Sequence, residues 1–300
     1  MDPEDLATDL QNLSSWDVAT RYHEFKSKRS LQKQIKQLRQ LSAAAILERA
    51  QEVLGAVVHP VDYRVSPWSE LPFYAEQADL DLDETIENCP VAVAGVLDSS
   101  FENYPLTENE IWMSYSIPRR QPLVLTVDTS LSMTGEKLAL TAVALAVVLL
   151  EFPEDPIGIV AFENETRVLK RLDEKISIQQ LVERFLDVPA QGYTHLEDGI
   201  KAALKLVRNA REGGQGRPAS TVLLTDGKYT AGRDPAYLAP KFPHLVLLKM
   251  GREKASLELC QELAQKGRGV IREVGELESL PSVMYGVVKD LLRGRSTAGR

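Results

Sequence analysis

The sequence predicts an α/β fold: a doubly wound, mostly parallel six-stranded sheet preceded by a smaller, mainly helical N-terminal region. From residue 121 onward, short apolar runs alternate with stretches of helical length, which is the pattern of β/α units around a parallel sheet. Polar side chains follow directly after two of the apolar runs. Because open α/β sheets bind their ligands beyond the carboxyl ends of their strands, these polar residues indicate a ligand site.

The first 118 residues lack this regular alternation and are assigned to the N-terminal region, with the α/β domain over residues 119–292 and a small basic tail over residues 293–300. One helix is predicted over residues 30–54, because apolar residues recur there near helical spacing and Gly55 is a typical stop. Basic residues crowd its start and form either a solvated face or a docking surface for an acidic partner: Lys26, Lys28, Arg29, Lys33, Lys36 and Arg39.

An acidic segment at residues 79–87 resembles a calcium-binding loop in composition only. The EF-hand spacing with its central glycine is absent, so we do not expect a calcium site there. A short helix that begins at Asp83 is the better interpretation.

The elements of the α/β domain follow in order from residue 123. Residues 123–127 are a buried strand, and residues 136–152 are a nearly all-apolar helix of the kind that packs inside such a fold. Residues 156–162 form the second strand, and the tight turn at residues 164–165 leads into an antiparallel edge strand at residues 166–169. The remaining predicted elements are helices 178–185 and 195–211, strands 219–225, 245–249 and 270–273, and helices 254–266 and 278–292.

Right-handed crossovers place the first and fourth strands side by side, where the strand order reverses. Asp128 follows the first strand and Asp226 the fourth, so their carboxylates converge at one edge of the sheet. Ser130, Ser132 and Thr194 add hydroxyl groups to this edge. A set of oxygen donors without nitrogen or sulfur suits a hard cation, Mg²⁺ above all, with Mn²⁺ and Ca²⁺ as the alternatives.

Three pieces of the sequence together resemble the von Willebrand factor A (vWA) domain family over roughly residues 120–290: Asp128-Thr129-Ser130-Leu131-Ser132, Thr194 before a helix, and Thr225-Asp226-Gly227. The resemblance implies the strand order 3-2-1-4-5-6 and a metal-ion-dependent adhesion site (MIDAS). It implies that the serine hydroxyls contact the metal, that the threonine binds directly or through water, and that the aspartates often act through water. Such a metal seeks an acidic side chain of a protein partner, so the resemblance implies a binding protein and not an enzyme. The implied metal ligands are Asp128, Ser130, Ser132, Thr194 and Asp226.

Two positions near this motif allow alternative interpretations. Leu131 stands where the family usually has glycine; it contributes backbone to the site, so we expect metal binding to survive. Its side chain, with those of Met133 and Tyr193, forms either an apolar rim of the binding face or ordinary loop and core packing. His195 is a candidate catalytic base, but no nucleophile is paired with it in the sequence, which favours a helix-start residue.

Segments upstream of the domain resemble prokaryotic vWA proteins of the CoxE and ViaA kind, at residues 81–88, 112–115 and 118–122. Those proteins work with a MoxR-type AAA+ ATPase in protein remodelling or metal-cofactor insertion. The resemblance implies an adaptor whose N-terminal region binds one partner and whose metal face binds another. The chain has no Gly-x-x-x-x-Gly-Lys-Ser/Thr loop, so an ATPase would be a separate partner.

Composition limits the partners and the compartment. The net charge of −8 argues against a nucleic-acid partner. Two distant cysteines, Cys89 and Cys260, form neither a disulfide framework nor a zinc site and favour a reducing compartment. The acidic start does not resemble a signal peptide, and the longest apolar run, residues 138–150, is too short to span a bilayer. We therefore expect a cytoplasmic protein without a membrane span.

Two other classes of protein are alternatives to the adaptor. A cell-surface adhesion or ligand-binding vWA protein has the same site but needs a secretion signal. A haloacid dehalogenase-type phosphatase has a second aspartate two residues after its nucleophile, where this chain has Ser130. The nucleophile elbow of α/β-hydrolases and the glycine-rich dinucleotide loop are both absent from the sequence, so we expect no catalysis.

Overall fold

The computed structural model describes residues 13–56, 63–72, 75, 78–89, 106–116, 121–190, 192–212, 218–251 and 256–292. Within these ranges the strands are β1 (Tyr63–Pro67), β2 (Asp79–Leu80), β3 (Trp112–Ser116), β4 (Leu123–Asp128), β5 (Ile157–Phe162), β6 (Thr166–Lys170), β7 (Ser220–Thr225), β8 (His244–Met250) and β9 (Ile271–Val274). The α-helices are α1 (Ser15–Thr20), α2 (Tyr22–Ser27), α3 (Ile35–Gly55), α4 (Leu82–Glu87), α5 (Glu136–Glu151), α6 (Ile178–Leu186), α7 (Leu196–Glu212), α8 (Leu257–Lys266) and α9 (Leu280–Leu292).

The six strands β4 to β9 form one sheet in the order β6-β5-β4-β7-β8-β9, which confirms the predicted order 3-2-1-4-5-6. Every neighbouring pair is parallel except β5 and β6, so β6 is the predicted antiparallel edge strand. β4 lies beside β7, with Leu125 opposite Val222. The carboxyl ends of these two central strands therefore meet at one edge of the sheet.

Helices cover both faces of this sheet, as expected for a doubly wound fold. Alternate residues of β4 point to opposite faces. Leu123, Leu125 and Val127 belong to the core beneath α5, α6 and α9, whereas Val124 belongs to the core beneath α7 and α8. The predicted α/β fold with a helical N-terminal part is thus confirmed.

The chain divides into two units, residues 1–57 with 120–300 and residues 58–119. This grouping divides the predicted N-terminal region 1–118, because helices α1 to α3 belong to the same unit as the large sheet. The second unit contains a small antiparallel sheet in the order β1-β3-β2, which the sequence did not predict. Its helix α4 begins one residue before the predicted Asp83, because the Asp81 side chain accepts a hydrogen bond from Glu84 N (3.1 Å) and caps the helix.

Helix α5 is apolar on all sides because it is covered on all sides. One side faces the sheet, and α3 and α9 pack on the other. Its residues 138–149 are all buried. Leu38, Ile46 and Ala50 of α3 belong to the same core as α5. The N-terminal helices are therefore an outer layer of the α/β domain.

Two residues of the basic cluster at the start of α3 are engaged by α6, which neither interpretation of the cluster predicted. Lys26 Nζ donates to the carbonyl oxygens of Leu186 (3.2 Å) and Asp187 (2.7 Å), at the C-terminal end of α6. Arg39 pairs with the Asp187 carboxylate at 2.9 Å. Both cations complement the negative end of the helix dipole, and burial lowers the pKa of Lys26.

The boundaries of several elements differ from prediction by a few residues. The predicted helix at residues 30–54 begins at residue 35, after a separate 3₁₀ turn at Arg29–Leu31. The short helices α1 and α2 were not predicted. The predicted basic tail lies outside the described residues. No described helix has both the length and the apolar character that a membrane crossing requires.

Candidate metal centre

The first part of the candidate site is the turn that leaves β4. Asp128 is the last residue of β4 and is fully buried. Its Oδ1 accepts a hydrogen bond from Ser130 N (2.9 Å). The aspartate side chain thereby closes a turn with the backbone two residues further along the chain. Thr129 is anchored to the end of β5, since its N–H donates to Phe162 O at 2.8 Å. These bonds fix the carboxylate at the sheet edge.

The two serines of the motif lie side by side just after this turn. Ser130 Oγ and Ser132 Oγ are 3.2 Å apart. Ser130 is buried, whereas Ser132 is exposed to solvent. Lys137 of α5 donates its Nζ to Ser132 O (3.0 Å) and holds the 3₁₀ turn Leu131–Met133 against the helix. The hydroxyl pair is thus presented at the rim of the buried carboxylate.

The second aspartate joins the first through Thr225, the last residue of β7. Thr225 Oγ1 donates to Asp128 Oδ2 at 2.9 Å and accepts from Gly227 N at 3.0 Å. Asp226 is buried, and its Oδ1 accepts from Lys228 N at 3.0 Å. The structure therefore brings Asp226 to the same edge as Asp128, as the crossover argument predicts.

Thr194 lies in the loop before α7 and is held from two sides. Its N–H donates to Thr230 Oγ1 (3.0 Å), and its carbonyl oxygen accepts from Thr230 N (3.1 Å) and Ala231 N (3.3 Å). On the other side, Glu163 at the end of β5 accepts from Gly192 N (2.7 Å) and His195 N (2.7 Å). The Thr194 loop and the loop after Asp226 are therefore fastened to each other.

The charges of the site remain uncompensated within the described part of the chain. Asp128 and Asp226 are both buried, and neither forms an ion pair with a described side chain. Two buried carboxylates next to each other are costly unless a cation neutralises them. The remaining polar groups are hydroxyl oxygens, the donors that Mg²⁺ prefers. These residues fit a hard divalent cation.

The cost of burying the two carboxylates is reflected in the pKa of one of them. Burial raises the pKa of Asp128 to about 6, and the neighbouring Asp226 charge adds to the rise. Hydrogen bonds from Ser130 and Thr225 limit it. A divalent cation placed between the two carboxylates would favour their ionised forms and reverse this shift.

The structure separates the three apolar residues near the motif into one core residue and two exposed residues. Met133 is fully buried and belongs to the core, whereas Leu131 and Tyr193 are exposed beside the site. His195 lies at the start of α7, where its carbonyl oxygen accepts from Asp198 N (3.2 Å) and Gly199 N (3.3 Å). Its position is that of a helix-start residue.

Sequence reasoning missed the residues that support the ligands. Glu197 of α7 accepts from Arg233 N (2.9 Å), from Lys201 Nζ (2.9 Å) and from the Tyr237 hydroxyl (2.5 Å), and so ties the loop after Asp226 to α7. These bonds hold the pKa of Glu197 down at about 2. Thr225 stands in the Thr-Asp-Gly motif and signalled a role, whereas Thr230 and Glu197 carry no sequence signal.

We expect Thr230→Val to weaken Mg²⁺ binding about 3- to 10-fold, because Thr194 N loses its acceptor and the Thr194 loop loosens; one hydrogen bond is worth about 1 kcal/mol. Thr230→Ser keeps the hydroxyl and should bind Mg²⁺ like the wild type. Direct titration of Mg²⁺ into the metal-free proteins measures the effect. Equal affinities of the valine variant and the wild type would contradict this role.

The comparisons with known proteins agree with this fold. The family model described as von Willebrand factor type A domain matches residues 123–228, a range that contains all five candidate ligands. Over these residues the chain is similar to that family. No match was found among the curated proteins.

The chain is also similar to solved structures of proteins that are distant from it in sequence. Proximal thread matrix protein 1 from the mussel byssus is 19% identical with a TM-score of 0.44, and the match covers 56% of this chain and 47% of that one. The chain thus spans about half of that protein; another structure of it has a zinc-occupied MIDAS motif. An aerotolerance-related membrane protein from Bacteroides fragilis is 17% identical (TM-score 0.43), and BatB from Bacteroides thetaiotaomicron is 18% identical (0.44). Those matches cover 57% and 58% of this chain and 99% of each of those chains.

Proposed function

We propose that this protein is a cytoplasmic adaptor that binds protein partners through a divalent metal at the edge of its large sheet. The proposed ion is Mg²⁺, with Mn²⁺ or Ca²⁺ as the alternatives, and the proposed ligands are Asp128, Ser130, Ser132, Thr194 and Asp226. The protein is proposed to do no chemistry of its own. A MoxR-type AAA+ ATPase is the proposed partner in protein remodelling or metal-cofactor insertion.

One observation carries the proposal: two buried carboxylates face two neighbouring hydroxyls without a described cationic side chain to balance them. A bound Mg²⁺ supplies positive charge and keeps a coordination position for an oxygen ligand from outside. The chain's own residues do the rest. Asp128 and Asp226 would supply negative charge to the ion, and Ser130, Ser132 and Thr194 would offer it hydroxyl oxygens. A partner's Asp or Glu side chain is the anion that suits the remaining position.

The proposed location rests on the cysteines. Cys89 and Cys260 are both free thiols and both are buried. Burial also raises the pKa of Cys260 to about 11, which keeps this thiol protonated and unreactive. Unpaired, buried thiols suit a reducing compartment.

The test is affinity capture from native lysate with the wild type in Mg²⁺ and in EDTA, with mass spectrometry of the retained proteins. We expect an AAA+ ATPase or its target to be retained in Mg²⁺ and lost in EDTA. Ser132→Ala should lose the same partner, because it removes one exposed hydroxyl of the site. Asp173→Asn, at an exposed position away from the site, is the control and should retain it. Equal retention in Mg²⁺ and EDTA would contradict the adaptor proposal.

A further inference from the structure

Three large apolar side chains are exposed on the three loops that carry the candidate metal ligands. Leu131 is 62% exposed, Tyr193 is 69% exposed and Tyr229 is 39% exposed. Leu131 lies between the two serines, Tyr193 directly precedes Thr194, and Tyr229 is the third residue after Asp226. One such side chain is ordinary on a protein surface. Here each of the three loops of a single site exposes one within three residues of a candidate ligand, and exposed apolar side chains that gather at one place mark interaction surfaces.

The local structure determines that these side chains point outward. The 3₁₀ turn Leu131–Met133 buries Met133 completely and leaves Leu131 in solvent. Tyr229 precedes Thr230, whose backbone N–H donates to Thr194 O at 3.1 Å, so the loops of Tyr193 and Tyr229 are joined next to the site. Each of the three loops therefore presents an exposed apolar side chain close in the chain to the hydroxyls and carboxylates of the site.

The charge around these side chains favours an anionic ligand. Lys137 Nζ lies 3.0 Å from Ser132 O, which places one ammonium group beside the hydroxyl pair. The proposed metal offsets the two carboxylates Asp128 and Asp226, so the Lys137 charge is in excess of theirs. A carboxylate that approaches the site meets positive charge in its centre and apolar surface at its edge.

We infer that the site selects a protein segment in which one Asp or Glu is flanked, within two residues on either side, by aliphatic or aromatic residues. The acidic side chain reaches the metal, and the flanking side chains pack on Leu131, Tyr193 and Tyr229. Aromatic side chains that become buried in a contact supply much of the binding energy of protein interfaces. The inference rests on the proposed function, because it specifies the ligand of the same site.

The test uses an array of short synthetic peptides, each with one central Glu and with flanks that are either apolar (Leu, Phe) or polar (Ser, Gln), and matched peptides with Gln in place of Glu. Wild-type protein is applied in Mg²⁺ and in EDTA. We expect Mg²⁺-dependent binding of Glu peptides with apolar flanks, about 10- to 100-fold tighter than of those with polar flanks.

Variants then locate the selectivity on the protein. Leu131→Ala, which removes the side chain and keeps the backbone preference of an L-residue, and Tyr193→Ser should each reduce the preference for apolar flanks about 5- to 10-fold while Mg²⁺ titrates with unchanged affinity. Leu41→Ala is the control, because Leu41 is 50% exposed on α3, away from the site. It should keep the full preference.

The outcomes separate the two ideas. Mg²⁺-dependent binding of all Glu peptides, regardless of their flanks, would overturn the inference and leave the adaptor proposal standing. Binding of apolar peptides that is equal in EDTA, or equal for Glu and Gln, would overturn both, and so would Mg²⁺ binding without binding of any peptide. A preference that survives in both Leu131→Ala and Tyr193→Ser would overturn the assignment to these residues.

Discussion

Replacing Asp128 by asparagine is expected to weaken Mg²⁺ binding by at least about 10- to 100-fold and, at the same time, to stabilise the metal-free protein at neutral pH. The weaker binding follows from the loss of one of two carboxylates at the site. The stabilisation follows because the wild-type chain buries a charge that no described cation balances. Asparagine has the same shape, and its Oδ1 still accepts from Ser130 N.

The direction of the predicted stability change follows from the pH dependence of folding stability. The Asp128 pKa is about 6 in the folded protein against an ordinary value of 3.8, so the folded chain binds the proton more tightly than the unfolded chain. Its contribution to stability is therefore fully present below about pH 4 and is lost as the pH rises through about 6. Two pKa units correspond to about 3 kcal/mol, and a weakened bond to Thr225 returns about 1 kcal/mol, which leaves about 2 kcal/mol.

The measurement is thermal unfolding of both metal-free proteins across this pH range, together with Mg²⁺ titration at neutral pH. The melting temperature of the Asn variant should exceed that of the wild type above pH 6, and the gap should close toward pH 4. Mg²⁺ at a concentration that saturates the wild type should raise the melting temperature of the wild type more than that of the Asn variant. An Asn variant that is less stable than the metal-free wild type at every pH would show that the carboxylate serves the fold and not a cation.

Gly269→Ala is expected to prevent stable folding. A Cβ atom at this position would lie 1.9 Å from the backbone oxygen of Leu245, in a buried strand, and 2.5 Å from its carbonyl carbon. The turn that contains Gly269 is fixed on both sides, since Gly269 N donates to Ala264 O (2.9 Å) and Leu245 N donates to Gly267 O (2.9 Å). Because the obstacle is backbone and not a side chain, no rotamer change relieves it. A loss of about 4 kcal/mol or more is expected, a large fraction of the stability of a domain.

Urea unfolding and soluble yield measure this effect. Gly286→Ala in α9 is the matched control, because no atom lies within 4 Å of an added Cβ there. Alanine favours a helix over glycine by about 1 kcal/mol, so this variant should be as stable as the wild type or more stable. A Gly269→Ala protein with an unchanged unfolding midpoint would mean that β8 and the turn move apart at little cost.

The large sheet was predictable because each of its elements has a local signal. Strands β4, β7 and β8 are buried on both faces and read as continuous apolar runs, and β6 follows a tight turn. Asp128 and Asp226 were placed together by the handedness of the crossovers alone. The apolar character of residues 136–152 likewise predicted a buried helix, but it did not indicate which elements cover that helix.

The parts that could not be predicted depend on contacts between distant segments. β1 and β3 pair across more than forty residues, with Tyr63 opposite Ser116, and neither strand has strong alternation. Lys26 and Arg39 look like solvated charges until the end of α6 is known. The supports of the candidate site have the same origin: Thr230 and Glu197 act through a backbone amide of another segment, which leaves no pattern in the sequence.

The discontinuous composition of the larger unit affects how the chain acquires its structure during synthesis. Helices α1 to α3 are translated first, but the core that they complete is contributed by α5 and the sheet, which lie beyond residue 120. Until that later sequence emerges, α1 and α2 can pack on α3, but the face of α3 that packs on α5 stays uncovered. Residues 58–119, in contrast, already contain all three strands of their own sheet. The order of folding therefore departs from the order of translation, and the nascent chain carries uncovered apolar surface for the time needed to make roughly a hundred residues, an interval of several seconds at typical elongation rates.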